Sequence, residues 1–199
     1  MVINKMETTN IILLRLLKTL FTQHTITSLS KEIGLSRVGT WKALKKIEAE
    51  KLIHMTPVGK EKKSTYTLEL NWTTPLTEKH LDLLLTEEAQ KNKRWSDTFQ
   101  QIAPSAKMVI LFGSILHSPK EANDIDILII ADKKHLHTIS EQVSRIQKTQ
   151  IKKIHSNILT KEEFEEELLQ KNKIFIDAIK KGVVLFGQQE FIKTIRRTV

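Results

Sequence analysis

Two apolar segments joined by a polar loop place the tightest constraint on how this chain folds. The first covers Met108–Phe112 and ends at Gly113 and Ser114, and the second opens, after nine intervening residues, with Asp124 and then Asp126. Because side chains alternate between the two faces of a strand, the two aspartates are predicted to point to the same face. Carboxylates held side by side repel each other unless a cation lies between them. The spacing therefore predicts a strand–loop–strand unit with a paired-carboxylate site.

The residue types in this unit indicate which ligands it would bind. Hard divalent ions such as Mg²⁺ bind through few carboxylates and keep room for phosphate oxygens. A small residue after a glycine turn lets backbone N–H groups approach a phosphate. Asp124 and Asp126 are therefore candidate metal ligands, and Gly113 and Ser114 are candidate phosphate-binding residues. An ordinary strand–loop–strand with two solvated aspartates is the alternative.

The same stretch resembles the signature of the DNA polymerase beta-like nucleotidyltransferase superfamily, in particular its minimal nucleotidyltransferase branch. The matching residues are Phe112, Gly113, Ser114, Asp124 and Asp126. The resemblance implies that the two aspartates are catalytic and hold Mg²⁺ or Mn²⁺, while the Gly-Ser pair holds a nucleoside triphosphate. It also implies transfer of a nucleoside monophosphate, most simply AMP from ATP, to a hydroxyl on a protein or another acceptor.

Two features depart from that signature. Active members usually carry a third carboxylate on the next strand, whereas the strand predicted over 151–159 has no acid and offers His155, Ser156 or Asn157. The Ala-Arg-Gly that often follows Gly-Ser is replaced by a segment centred on His117. This histidine is a candidate nucleotide-binding residue because it can hydrogen-bond a phosphate, although it lacks the permanent charge of arginine. It also fits a plain loop histidine.

The missing carboxylate leaves the function open between two classes. One is an active nucleotidyltransferase. The other is a transcription regulator or nucleotide-sensing module whose nucleotidyltransferase site no longer turns over. Minimal nucleotidyltransferases often act as antitoxins, so the resemblance also implies a HEPN-type ribonuclease toxin as a partner. An antibiotic-modifying transferase shares the fold, but nothing in the sequence marks a drug pocket.

The basic charge of the chain is concentrated in its first third. Residues 1–75 carry 12 Lys and Arg against 6 Asp and Glu, whereas residues 76–199 carry 20 against 17. A basic segment favours a polyanionic partner such as nucleic acid. A lysine-rich solvated surface gives the same count, so charge alone does not separate the two interpretations.

The apolar spacing in this first third predicts helices over 8–20, 28–34 and 37–51 and strands over 52–55 and 64–70. Ser36 is the predicted N-cap of the third helix, whose predicted apolar face is Val38, Trp41, Leu44 and Ile47.

The order of three helices followed by two strands resembles a winged helix-turn-helix domain, in which the third helix enters the DNA major groove and a basic hairpin loop meets phosphates. The resemblance implies double-stranded DNA as a partner, contacted through Arg37, Thr40, Lys42, Lys45, Lys46, Lys60, Lys62 and Lys63. A winged helix used for protein interaction or homodimerisation is the alternative.

A polar, proline-containing break at 71–77 is the predicted domain boundary. It gives a winged helix-turn-helix domain over 1–75 and a minimal nucleotidyltransferase domain over 76–199. Thr77 is the predicted cap of a long helix that reaches about Ile102, with Trp95 and Phe99 as core anchors. Thr160 and Glu163 are predicted to form a capping box. Because strands alternate with helices after the boundary, the second domain is expected to be a small mixed α/β sheet flanked by helices.

Other classes of site and location are excluded or disfavoured by the composition. The chain has no cysteine, which rules out disulfides, thiol nucleophiles and cysteine-based zinc sites. No apolar run is long enough for a membrane helix, and the N-terminus lacks the features of a signal peptide. A cytoplasmic protein without a membrane partner is therefore expected.

Overall fold

The computed structural model describes residues 7–19, 21–58 and 65–198 of the chain. These residues form a mixed α/β structure with two small sheets, which confirms the predicted mixture of helices and strands. The chain divides into two compact units, Met1–Leu84 and Leu85–Val199. The division falls inside a helix, α4 at Pro75–Lys91, rather than in the polar segment before it. Within the described residues no helix is both long and apolar enough to cross a bilayer.

The first unit packs three helices against a three-stranded antiparallel sheet whose central strand is β3 at Thr65–Leu70. Before α4 its elements are α1 (Thr8–Lys18), β1 (His24–Thr25), α2 (Ile26–Glu32), α3 (Arg37–Ala49), β2 (Ile53–Val58) and β3 (Thr65–Leu70). The core is built from aliphatic side chains of all three helices and of β3, among them Ile12, Leu17, Leu29, Leu44 and Leu68. Ser36 caps α3 as predicted, since its Oγ accepts from the N–H of Gly39 at 3.1 Å.

The predicted apolar face of α3 is partly wrong. Val38 is 66% exposed, whereas Thr40 is fully buried beside Leu44 and Ile47. A threonine is tolerated in the core here because its hydroxyl donates to the carbonyl oxygen of Ser36 at 3.0 Å, which removes the cost of burying an unpaired polar group. The helix therefore turns a valine outward at its first turn.

The second unit is built on a four-stranded mixed sheet in the order β6 (Lys153–Leu159), β5 (Asp124–Ala131), β4 (Ala106–Phe112) and β7 (Val183–Phe186). Strands β5 and β6 are parallel, and the other two pairs are antiparallel. After α4 its elements are α5 (Lys93–Phe99), β4 (Ala106–Phe112), β5 (Asp124–Ala131), α6 (Leu136–Gln147), β6 (Lys153–Leu159), α7 (Lys161–Leu169), α8 (Lys173–Lys181), β7 (Val183–Phe186) and α9 (Gln188–Thr198). Thr160 and Glu163 form the predicted capping box at the start of α7.

The prediction that Thr77 caps a single helix to residue 102 is wrong in two respects. Thr77 is buried inside α4, which begins at Pro75, a residue suited to the first helical position because its missing N–H needs no partner there. The helix then breaks at Asn92, whose side-chain amide donates to the carbonyl oxygen of Glu88 at 3.0 Å and so competes with the backbone pattern. The remainder continues as α5 and a short 3₁₀ turn.

Side chains of β4 and β5 alternate between two faces of this sheet. One face packs against α5 and α6 and forms the apolar core, in which Trp95 and Phe99 are the predicted anchors, with ring centroids 6.5 Å apart. Ile125 and Ile127 belong to this core. On the other face, α7 contacts β5 while α8 and α9 contact β4. Asp124 and Asp126 alternate with the core residues and so belong to this second face.

Candidate metal and nucleotide site

Strand directions bring three separate segments together at one end of the strands of the second sheet. Because β4 and β5 are antiparallel, the end of β4 meets the beginning of β5, and Phe112 pairs with Asp126. Because β5 and β6 are parallel, β6 begins at the same edge, and His155 pairs with Asp126 on the other side. The Gly-Ser turn, the two aspartates and this histidine therefore converge at one end of the sheet.

The two aspartates lie side by side with the imidazole against both. The Nδ1 atom of His155 is 3.3 Å from Oδ2 of Asp124 and 3.7 Å from Oδ1 of Asp126. One ligand atom from each of the three residues lies within 4.8 Å of the other two. The side chains of Asp124, Asp126 and His155 are 34%, 28% and 46% exposed, so the site is open to a ligand.

The charge of the site is unbalanced in the protein alone. Partial burial raises the pKa of Asp126, and repulsion from Asp124 raises it further, while His155 offsets part of the effect. A carboxyl group whose folded-state pKa is raised destabilises the fold once it is ionised, so the penalty grows as the pH rises through that pKa. A divalent cation would offset both the partial burial and the repulsion, because it favours the ionised form of each carboxylate. The three side chains therefore suit a divalent metal ion.

Gly113 lies directly against Asp126. Its φ of 83° and ψ of −167° fall in a backbone region that is open almost only to glycine, and a Cβ atom there would overlap the Asp126 carboxylate. Ser114 then opens a 3₁₀ turn, Ser114–Leu116, and is exposed. The exposed His117 follows this turn, and its N–H donates to the carbonyl oxygen of Ser114 at 3.0 Å.

We expect Gly113→Ala to destabilise the second unit by about 1–3 kcal/mol for the strained backbone alone. The added methyl group also displaces the Asp126 carboxylate, so metal affinity falls together with stability. Gly34→Ala is the matched control, because Gly34 also has a positive φ of 68° but has open space where the Cβ would lie. Urea unfolding and metal titration separate the two effects. A Gly113→Ala protein that binds metal like the wild type would contradict the contact.

Of the three residues that the sequence offered for a third ligand, His155 is the one that lies opposite Asp126. Its pairing with Asp126 fixes this assignment, since Ser156 points to the opposite face and Asn157 pairs with Leu128 further along β5. Sequence reasoning did not select His155 because the choice depends on the register between two strands.

Five of the residues predicted to contact DNA lie on α3, and four of these are exposed. Arg37 and Lys42 have no ion pair within the described residues, whereas Lys45 pairs with Glu48 at 2.7 Å and Lys46 with Glu7 at 3.5 Å. The prediction for Thr40 needs correction, because that side chain is buried and bonded within the helix. Lys60, Lys62 and Lys63 lie outside the described residues. Sequence reasoning missed the exposure of Val38 on this face.

Comparisons of the chain with protein-family models, curated proteins and solved structures gave no match.

Proposed function

We propose that the second unit is a metal-dependent nucleotidyltransferase that transfers AMP from ATP to a hydroxyl acceptor. The observation that carries this proposal is the convergence of Gly113, Asp124 and Asp126 at one end of the strands of a mixed sheet. The aspartates come from β5 and the glycine from the turn that follows β4, and the glycine is in contact with one of the aspartates. A solvated pair of strand-end aspartates would not require a glycine-only backbone against one carboxylate.

Each residue has a defined role in this proposal. Asp124 and Asp126 hold the metal ion, and the Gly113 turn brings backbone N–H groups and the Ser114 hydroxyl to the triphosphate. When bound, the metal ion neutralises charge on the phosphate oxygens. Most of the rate in such a transfer comes from positioning and electrostatics, so a few side chains suffice.

The transfer balances without a further reactant. The acceptor oxygen forms a bond to the α-phosphorus, while the bond from that phosphorus to the oxygen bridging to the β-phosphate breaks. Pyrophosphate leaves, and the proton of the acceptor hydroxyl passes to water. The test is incubation with a divalent metal, candidate acceptors and ATP labelled either at the α- or at the γ-phosphate. Only the α-label is expected in the acceptor, and transfer of the γ-label would contradict the assignment.

A binding module without turnover is the second candidate, and the imidazole at the third ligand position is the observation that favours it. Without a third carboxylate, the metal that activates the acceptor is held more weakly. In this case ATP and metal bind to the second unit, but no label is transferred to any acceptor. Binding without transfer therefore distinguishes the sensor from the enzyme.

We further propose that the first unit is a winged helix-turn-helix domain that binds duplex DNA through α3. Support comes from the order α2, turn, α3 and then the β2–β3 hairpin, and from the exposed cations at the start of α3. Arg37 and Lys42 carry positive charge, and Val38 between them offers an apolar surface. Arginine and lysine contact phosphates or guanine edges, whereas an apolar side chain packs against the thymine methyl group.

We expect replacement of both Arg37 and Lys42 with alanine to weaken DNA binding and to flatten its salt dependence. Each lost phosphate contact lowers the slope of log affinity against log salt by about 0.9. Val38→Ala is expected to keep the slope and to reduce discrimination at one thymine. Lys79→Ala, which removes an exposed lysine from α4, is the matched control. Fluorescence anisotropy over a salt series measures all of them, and an unchanged slope in the double variant would contradict DNA contact by α3.

A further inference from the structure

The third donor of the candidate metal site is a nitrogen atom rather than an oxygen. His155 is fixed opposite Asp126 by the register of two parallel strands, and its Nδ1 faces both carboxylates. At 3.3 and 3.7 Å, the nitrogen lies beyond the usual N–H···O hydrogen-bond distance of about 2.7–3.2 Å. The imidazole therefore faces both carboxylates through two long contacts rather than through one short hydrogen bond.

These separations are close to those of ligands that share one metal ion. Neighbouring ligands at about 2.1 Å from an octahedral ion are about 3.0 Å apart. Around a tetrahedral ion with similar bond lengths they are about 3.4 Å apart. The observed 3.3 and 3.7 Å fall near these values. The two contacts from His155 therefore need only a small shortening to fit a shared ion, and the ligand atoms of the two aspartates lie within 4.8 Å of each other.

We infer that His155 is a direct metal ligand and that the site consequently selects a first-row transition ion, such as Mn²⁺ or Co²⁺, over Mg²⁺. Carboxylates and water suit Mg²⁺, whereas imidazole adds affinity for transition ions. Exchange of the usual third carboxylate for imidazole also makes the donor set less negative, which removes part of the attraction for a hard ion. The inference rests on the metal site of the proposed nucleotidyltransferase and adds the class of its metal.

The test is metal binding by the full-length protein, followed by electron paramagnetic resonance with Mn²⁺ as the probe. The expected result is Mn²⁺ affinity at least about tenfold above that for Mg²⁺, a difference of about 1.4 kcal/mol. Pulsed spectra of bound Mn²⁺ are expected to show coupling to a nitrogen nucleus. His155→Gln should abolish this coupling and the preference for Mn²⁺.

His137→Gln is the matched control for adventitious binding by a surface histidine. His137 is 87% exposed and lies 3.7 Å from Glu141, so it is also a histidine beside a carboxylate. Its replacement should change neither the coupling nor the affinity ratio. Because His155 lies on an edge strand and is half exposed, His155→Gln is expected to fold, and circular dichroism verifies this.

Two results would overturn the inference, and they are distinguishable. Mn²⁺ bound without nitrogen coupling, or with coupling that survives His155→Gln, would remove His155 from the ligand set while leaving the aspartate site intact. Mn²⁺ binding that is unaffected by Asp124→Asn and Asp126→Asn together would overturn the metal site itself, and with it the proposed function.

Discussion

ATP with a divalent metal is expected to raise the melting temperature of the wild-type protein, and Asp124→Asn or Asp126→Asn is expected to remove this rise. A ligand that binds only the folded state at 100 times its Kd stabilises that state by about 2.7 kcal/mol. At about 2–4 °C per kcal/mol for a chain of this size, the wild-type rise is several degrees. Neither variant keeps two charged oxygen ligands, so nucleotide transfer is expected to fall with the thermal response.

The matched control for these variants is Asp132→Asn. Asp132 follows β5 directly, whereas Asp124 begins it, so both aspartates flank the same strand. Asp132 pairs with Lys107 at 2.6 Å, outside the candidate site. Its replacement should leave the ATP–metal response unchanged. A thermal response in Asp124→Asn and Asp126→Asn equal to that of the wild type would show that the metal site lies elsewhere.

Without metal, Asp126→Asn and Asp132→Asn should change the stability of the fold in opposite directions at neutral pH. Burial and the neighbouring Asp124 raise the pKa of Asp126, so its ionised form destabilises the fold, and Asp126→Asn should raise the melting temperature. The hydrogen bond from Lys107 lowers the pKa of Asp132, so this carboxylate stabilises the fold above its unfolded pKa. That stabilisation is lost as the pH falls through the folded pKa. Asp132→Asn should therefore lower the melting temperature slightly. Thermal unfolding of chelator-treated protein measures both changes.

The parts of the candidate site that are local in sequence were predictable. The glycine turn, the strand that begins at Asp124 and the shared face of the two aspartates follow from residue type and from the period of two along a strand. The caps at Ser36 and Thr160 follow similarly from hydroxyl residues that precede helices.

The remaining features depend on contacts between residues distant in sequence or on local competition that periodicity does not capture. The choice of His155 over its neighbours required the parallel register of β5 with β6. The two-residue strand β1 exists only because β3 pairs with it. The outward position of Val38 and the buried position of Thr40 depend on which side of α3 the sheet and helices cover. Their hydrophobicity alone suggests the reverse arrangement.

The largest gain in the proposed transfer activity is expected from placing a carboxylate at the position of His155. His155→Asp places an acid opposite Asp126, where it supports the metal that activates the acceptor. We expect Mg²⁺-dependent transfer to increase by about 10–100-fold, the range by which residues that support a metal site change its affinity or activity. Wild-type transfer with Mg²⁺ should be slow, well below the ~1–100 per second of typical phosphoryl-transfer enzymes.

Ser156→Asp and Asn157→Asp are the matched controls, because they add the same charge to the same strand. Ser156 points to the opposite face, and residue 157 lies two positions, or about 7 Å, further along β6. Neither should increase transfer. Single-turnover assays with α-labelled ATP and Mg²⁺ compare the three variants with the wild type. An increase in either control would show that the strands pair in a different register at the site. Wild-type transfer already in the typical range would show instead that the imidazole replaces the carboxylate without loss.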